Sequence, residues 1–268
     1  MSKSYFICTT PRSGSTLLCR LLEETGRTGN PDSFYHRAEF MREWAAGWGV
    51  PDPDTVPQSV FDTAYLAAAI KAGKAGTEIF GLRLQFEYLK LLSDTLGRIF
   101  PGLPADADRF KHAFGEILYI HLTRTDKVAQ AISLVKAQQS GLWHMNADGT
   151  EYERLGAPQE PRYDFGVLRR EVEALENDDR AWLAWFDRQG IRPVRVRYEA
   201  FAGQPAETLI EICRVLDVEP PEAGSIASRL AKLSDAVSQE WRSRYHADLA
   251  EADGSWLDAP EGKVAAEE

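Results

Sequence analysis

The chain has 268 residues, of which 44% are hydrophobic, so it can bury a large core and is not an intrinsically disordered protein. Its formal net charge of −10 argues against nucleic-acid binding, and its apolar runs are too short for an integral membrane protein. Three scattered cysteines fit neither a disulfide framework nor a metal site. We therefore expect free buried thiols and a cytoplasmic protein.

The chain opens with a strand, a glycine-containing turn and a helix. A short apolar run over residues 5–9 predicts the strand, which Pro11 and Gly14 end. Leucines then recur at helical spacing from residue 15 until Gly26 closes the helix. This order is typical of the first half of a β-α-β unit.

Strands and helices continue to alternate along the chain. We predict further strands over residues 78–84, 117–123 and 194–198. The predicted helices cover residues 59–71, 86–99, 127–139 (capped by Asp126), 168–189, 206–216 and 229–250. This alternation predicts an α/β fold with a central parallel β-sheet flanked by helices. We expect one domain over residues 1–249, with an irregular excursion over residues 144–163, and an acidic, flexible tail over residues 250–268.

A loop of the phosphate-binding type lies between the first strand and the first helix. The N–H groups at a helix start are unpaired, and the helix dipole favours an anion there. Gly14 allows the backbone to approach a ligand closely, and Arg12 supplies a planar charged fork. Three hydroxyl groups complete the loop, on Ser13, Ser15 and Thr16.

This loop differs from a Walker A loop at two positions. Thr9 stands in place of the first glycine, and Ser15 stands in place of the lysine. We therefore expect no Mg-nucleotide triphosphate site and no metal. The alternative interpretation is a serine-capped helix after a tight turn, without any ligand.

A second anion-binding signal follows the strand over residues 117–123. Arg124 lies at its carboxyl end, where α/β sheets place ligands, and Ser133 follows about two and a half helical turns later. Together they could hold a second phosphate. Alternatively, Arg124 forms an ion pair with Asp126, and Ser133 is an ordinary helix residue.

Together, these two motifs resemble the 3′-phosphoadenylyl-sulfate (PAPS) dependent sulfotransferases, in the bacterial branch typified by the mycobacterial trehalose 2-sulfotransferase. In that family, the segment that matches residues 11–18 holds the 5′-phosphosulfate. The segment that holds the 3′-phosphate is matched by His121, Arg124, Asp126, Gln130, Ala131 and Ser133. The resemblance runs from residue 5 to about residue 245.

The resemblance implies a sulfotransferase-type fold, PAPS as the sulfuryl donor, no metal, and a sugar or glycolipid acceptor. The resemblance is also compatible with a homodimer. The residues that it implies for donor binding are Arg12, Ser13, Gly14, Ser15, Thr16, Arg124 and Ser133. Arg12 is in addition expected to act in catalysis, since it could balance the charge of the transferred sulfuryl group without Mg²⁺.

The general base is where this chain departs from the family. The trehalose enzyme carries a glutamate where this chain has Ser33, which cannot by itself serve as a good base. Asp32 is nearest to that position, and His36 has the most suitable ordinary pKa, about 6.5, so we expect one of them to be the base. Glu39 is the next candidate. For each of these, the plainer alternative is a solvated charge on a loop.

The tryptophans support two different interpretations. Trp182, Trp185 and Phe186 have apolar spacing on one helix and are expected in the core. Trp44 and Trp48 could line a sugar cleft, belong to the core, or form a dimer contact.

Two rival functions remain open at this stage. A small-molecule kinase on the same fold would bind ATP-Mg, against which the missing Walker lysine counts. A non-catalytic nucleotide-binding regulator would explain Ser33 in place of the glutamate.

Overall fold

Parallel strands form the central sheet of the computed structural model, which describes residues 3–146, 148–221 and 235–255. The strands of this part of the chain are β1 (Lys3–Thr9), β2 (Ile79–Gln85), β3 (Glu116–Thr123), β4 (Leu142–Met145), β5 (Glu151–Arg154) and β6 (Val194–Arg197). The central sheet has the order β2-β1-β3-β6, and all its pairs are parallel. The predicted α/β fold is therefore confirmed.

Helices connect these strands and cover the sheet. In the described ranges they are α1 (Ser15–Glu24), α2 (Ala38–Trp48), α3 (Gln58–Lys74), α4 (Phe86–Ile99), α5 (Asp106–Phe114), α6 (Lys127–Ser140), α7 (Phe165–Arg188), α8 (Tyr198–Gly203), α9 (Pro205–Val215) and α10 (Ala236–Ser255). Asp126 caps α6 by accepting a hydrogen bond from the Ala129 N–H, as the sequence predicts.

Successive side chains of a strand point to opposite faces of the sheet, and core clusters cover both faces. Phe6 of β1 joins the core cluster that contains Trp182, while Ile7 joins a second cluster with Leu18 of α1. Trp182, Trp185 and Phe186 are all buried, which confirms their predicted place in the core. The buried central strands thus fix the positions of the loops that follow them.

The register places the carboxyl ends of three strands together. Thr9 of β1 lies opposite Gln85 of β2 on one side and Leu122 of β3 on the other. The loop after β1, the start of α4 and the loop after β3 therefore meet at one edge of the sheet, where α/β proteins bind ligands.

The structure differs from the prediction in five places. Helices α2, α5 and α8 were not predicted, and the excursion over residues 144–163 contains an antiparallel hairpin of β4 and β5. The strand predicted over residues 194–198 ends one residue earlier, since Tyr198 begins α8.

The C-terminal helix also has different bounds. It begins at Ala236, while the predicted start, over residues 229–234, lies outside the described residues. It extends to Ser255, into the segment that we expected to be a tail. Residues 256–268 of that tail lie outside the described residues.

Candidate active site

The carboxyl edge of the sheet opens into a cavity of about 870 Å³. Its wall includes the loop after β1, the start of α1, β2, α6 and the β4–β5 hairpin, and parts of α2, α4, α7, α8 and α10. The predicted site residues that line it are Arg12, Gly14, Ser15, Thr16, Asp32, His36, Arg124 and Ser133. Sequence motifs more than a hundred residues apart are thus brought to one cavity.

The backbone of the loop after β1 forms an anion-binding edge. Arg12 and Gly14 have positive φ angles of 61° and 89°, and Gly14 is the N-cap residue of α1. No described side chain caps this helix start, so its first N–H groups point outward as free donors. A Cβ atom at Gly14 would lie 2.4 Å from the Tyr198 ring, so a larger residue would collide with that ring.

Buried hydrogen bonds fix this loop from behind. Gln130 Nε2 donates to Thr10 Oγ1 at 2.9 Å, and Trp182 Nε1 donates to the Thr9 carbonyl at 2.9 Å. The Ser13 hydroxyl is fully buried and is hydrogen-bonded to Thr9 Oγ1. Ser13 therefore supports the loop from behind with its hydroxyl, and it is not among the residues that line the cavity.

The two predicted anion motifs contact each other through Arg12. Its Nε donates to Ser133 Oγ at 3.0 Å, and its Nη1 donates to the Trp143 carbonyl at 2.7 Å. Arg124 Nη1 in turn donates to the Arg12 carbonyl at 3.3 Å, and its guanidinium lies 4.9 Å from the centre of the Tyr198 ring. The structure thereby places Arg12, Arg124 and Ser133 in one group.

The electrostatics of this group suit an anion. Burial and the nearby charge of Arg124 lower the pKa of Arg12 to about 10. Arg124 Nε is buried and has no hydrogen-bond partner among the described residues. A phosphate here would satisfy that donor and relieve the repulsion between the guanidinium groups.

Asp126 does not neutralise Arg124. Its carboxylate caps α6 and pairs with Arg242 at 2.9 Å instead. The alternative expectation of an ion pair between Arg124 and Asp126 is therefore wrong for the described part of the chain.

A second polar network centres on the Thr16 hydroxyl. Arg83 of β2 donates from Nη1 to Thr16 Oγ1 at 2.9 Å. The same guanidinium donates to Ser33 Oγ at 2.8 Å and to Asp32 Oδ1 at 3.2 Å. His144 Nε2 lies 3.0 Å from Thr16 Oγ1. Burial and the charges of neighbouring arginines lower the pKa of His144 to about 3, so its ring is neutral near pH 7.

The candidate bases lie in different surroundings. Asp32 is held by Arg83, so it is not a freely solvated loop charge. His36 packs between Phe40 and Tyr88, with ring centres 4.9 Å and 4.3 Å away, and its Nδ1 is buried without a partner among the described residues. Burial and nearby arginines lower its pKa to about 4.

Glu39 lies apart from Asp32 and His36. It is exposed in the first turn of α2 and is not among the residues that line the cavity.

The Trp44 and Trp48 pair combines two of its expected roles. The two rings stack at 5.2 Å, and each packs against the buried Phe34. Trp44 also lines the cavity. The pair is therefore part of the core, with one ring in the cavity wall.

Sequence reasoning did not assign roles to Arg83, His144 and Glu153, all of which line the cavity. Arg83 lies in a predicted strand, and its position beside the loop follows only from the pairing of β1 with β2. His144 and Glu153 belong to the hairpin that was predicted as an irregular stretch.

Two features of the described ranges bear on other kinds of site. No group of three or more His, Cys, Asp or Glu side chains is placed there to hold a metal ion. None of the helices in those ranges combines the length and apolarity needed to cross a membrane.

Comparisons with known proteins show what the chain is similar to. The family model for Stf0 sulphotransferases matches residues 4–248. The trehalose 2-sulfotransferase of Mycobacterium tuberculosis is 26% identical, over 92% of this chain and 95% of its own. That of Mycolicibacterium smegmatis is also 26% identical, over 94% and 97%. The sulfotransferase domain of the Synechococcus PCC 7002 olefin synthase is 18% identical over 94% of each chain, with a TM-score of 0.47.

Proposed function

Because the chain belongs to the Stf0 sulphotransferase family, we propose that it moves a sulfuryl group from PAPS to a hydroxyl of a carbohydrate or glycoconjugate. One observation carries the choice of donor: Arg12 and Arg124 bring a loop-type and a strand-end anion site into the same cavity. Two anion sites in one cavity match a nucleotide that carries anionic groups at both its 5′ and 3′ positions.

The donor would be held at these two sites. Arg12, Gly14, Ser15 and Thr16 would bind the 5′-phosphosulfate at the start of α1, with the buried Ser13 supporting the loop behind them. The 3′-phosphate would accept hydrogen bonds from Arg124, whose Nε lacks a described partner, and from Ser133. When bound, PAPS supplies an activated sulfuryl group joined to a phosphate leaving group. The cavity volume falls in the range usual for sites of this kind.

The chain's own cations would stabilise the transfer. Arg12 and Arg83 flank the Thr16 hydroxyl network, so positive charge is already fixed where negative charge would develop. A sulfuryl group carries less negative charge than a γ-phosphate, and two guanidinium groups with helix N–H donors can balance it. We therefore propose transfer without a metal ion.

Asp32 and His36 are the proton acceptors that the sequence proposes. Both line the cavity, and the neutral His36 ring has a free lone pair for a proton. Replacing the true base should lower turnover about 10²–10⁴-fold with little effect on donor affinity.

The acceptor class rests on the relatives and on the cavity wall. Two relatives at 26% identity are named trehalose 2-sulfotransferases, which supports a sugar for this chain. Trp44 offers an aromatic face to the cavity, as sugar-binding sites often do. We also propose that the enzyme works in a reducing compartment, since Cys8, Cys19 and Cys213 are free and buried.

Calorimetry with 3′-phosphoadenosine 5′-phosphate (PAP) in EDTA, against ATP-Mg, tests the donor. Metal-independent binding of PAP that ATP-Mg does not displace is expected. Preference for ATP-Mg would instead support the kinase, and PAP binding without turnover on any hydroxyl acceptor would support the regulator.

A further inference from the structure

Glu153 is a cavity carboxylate without a role in the function proposed above. It lies on β5, and its Oε2 is 3.5 Å from His144 Nε2. The same ring nitrogen is 3.0 Å from Thr16 Oγ1 and 3.5 Å from Arg12 Nη1. The hairpin thus holds a carboxylate one side chain away from the loop that would bind the sulfuryl group.

A second, polar cavity of about 340 Å³ lies beside the first. Its wall includes α1 and strand β5 of the hairpin, with Arg20, Glu23, Asn30 and Tyr152 among the lining residues. Four residues line both cavities: Thr16, Asp32, Arg83 and Glu153. A polyhydroxylated acceptor that enters through the polar cavity would present a hydroxyl at this junction.

The three candidate bases differ in the contacts that they already make and in the cavities that they line. Asp32 Oδ1 accepts hydrogen bonds from Arg83 Nη2 at 3.2 Å and from the Ser33 N–H at 2.7 Å. His36 lines the larger cavity but is not among the residues of the polar one. Glu153 faces the junction, and its described contact is with the neutral His144 ring.

The charges around Glu153 favour a proton-accepting role. Burial raises the pKa of this carboxyl, and the charge of Asp32 acts in the same direction. Arg83 and Arg12 act in the opposite direction and keep the group ionised enough to accept a proton. A carboxylate whose pKa is raised is a more effective general base than an ordinary carboxylate.

We propose that Glu153 is the general base of the sulfuryl transfer, acting from the hairpin in place of the acidic residue that Ser33 replaces. The assignment rests on the proposed function. The acceptor oxygen forms a bond to sulfur while the bond between sulfur and the phosphate oxygen of the donor breaks. The hydroxyl proton passes to Glu153, the electron pair leaves with PAP, and water then takes the proton from Glu153.

The test compares Glu153→Gln and Glu153→Asp with Glu151→Gln, a matched control on the same strand. Glu151 is exposed and pairs with Arg154, away from the cavity. For each protein, PAPS consumption is measured with and without sugar acceptors, and PAP affinity is measured by calorimetry.

Glu153→Gln should lower acceptor sulfation about 10²–10⁴-fold with PAP affinity nearly unchanged. Glu153→Asp should retain part of the rate, and Glu151→Gln should behave like the unaltered enzyme. The rise of rate with pH that reports the base should be present in the unaltered enzyme and absent from Glu153→Gln.

Four results would overturn the assignment. Turnover of Glu153→Gln within about tenfold of the unaltered enzyme would reject Glu153 as the base, as would loss of PAP affinity in parallel with the rate. If Asp32→Asn or His36→Ala removes the pH-dependent limb instead, that residue is the base. If the unaltered protein binds PAP but consumes no PAPS with any acceptor, the proposed function fails and the base assignment falls with it.

Discussion

Arg124→Ala should weaken PAP much more than adenosine 5′-monophosphate, which differs from PAP by lacking the 3′-phosphate. Arg124 Nε is a buried donor without a described partner, so a phosphate can take it without breaking an existing hydrogen bond. Hydrogen bonds to charged groups are worth about 1.5–3 kcal/mol, which corresponds to about 10- to 150-fold in PAP affinity.

The smaller ligand should lose much less affinity, because its phosphate would lie at the start of α1. The Arg124 contact with the Arg12 carbonyl is lost as well, so thermal unfolding of the variant has to be followed in parallel.

Calorimetry on the unaltered protein, Arg124→Ala and Arg195→Ala measures this difference. Arg195 is an exposed arginine of β6 that is not among the cavity residues, so its variant controls for the loss of one surface charge. Equal losses for the two ligands in Arg124→Ala would refute the assignment of the 3′-phosphate to this residue.

Two further predictions concern the loop and the buried histidine. Gly14→Ala should abolish most PAP binding, because the added Cβ collides with the Tyr198 ring. Gly76→Ala has a similar φ but open space around it, so it should lower the free energy of unfolding by only about 1–2 kcal/mol and leave PAP affinity unchanged. Equal PAP affinity in both variants would contradict this. Burial lowers the pKa of His121 to about 4, so the unfolded state binds more protons between that pH and about 6.5, and stability should fall as pH drops. In urea unfolding, His121 should lower the free energy of unfolding by about 2 kcal/mol at pH 5 relative to neutral pH, and His121→Gln should lack that contribution.

The sequence predicted β1, β2 and β3 because each is a short, mostly apolar run with clear ends, and β6 is a shorter strand of alternating valines and arginines. It missed α2 and α5, which are amphipathic but short, so the apolar pattern of each spans only two to three helical turns. Residues 144–163 contain two glycines and two prolines, which favour a loop. The β4–β5 hairpin formed there because it packs at the cavity rim, a tertiary constraint that local sequence does not contain.

The donor loop was the most predictable part of the candidate site. Its residues are contiguous, and the strand–turn–helix order fixes their geometry locally. The contact between Arg12 and Ser133 joins residues 121 positions apart, and it depends on the neighbouring positions of β1 and β3. Glu153 carries no local signal, because a glutamate in a polar hairpin is usually a solvated charge.

The most direct test of the proposed function is a single turnover assay in EDTA with PAPS and trehalose or related sugars. Mass spectrometry would follow both PAP and the sulfated sugar. We predict that PAP forms together with a sugar that has gained one sulfuryl group, in equal amounts and without added metal. PAP binding without any sulfated product across sugar, glycolipid and phenol acceptors would contradict the proposal.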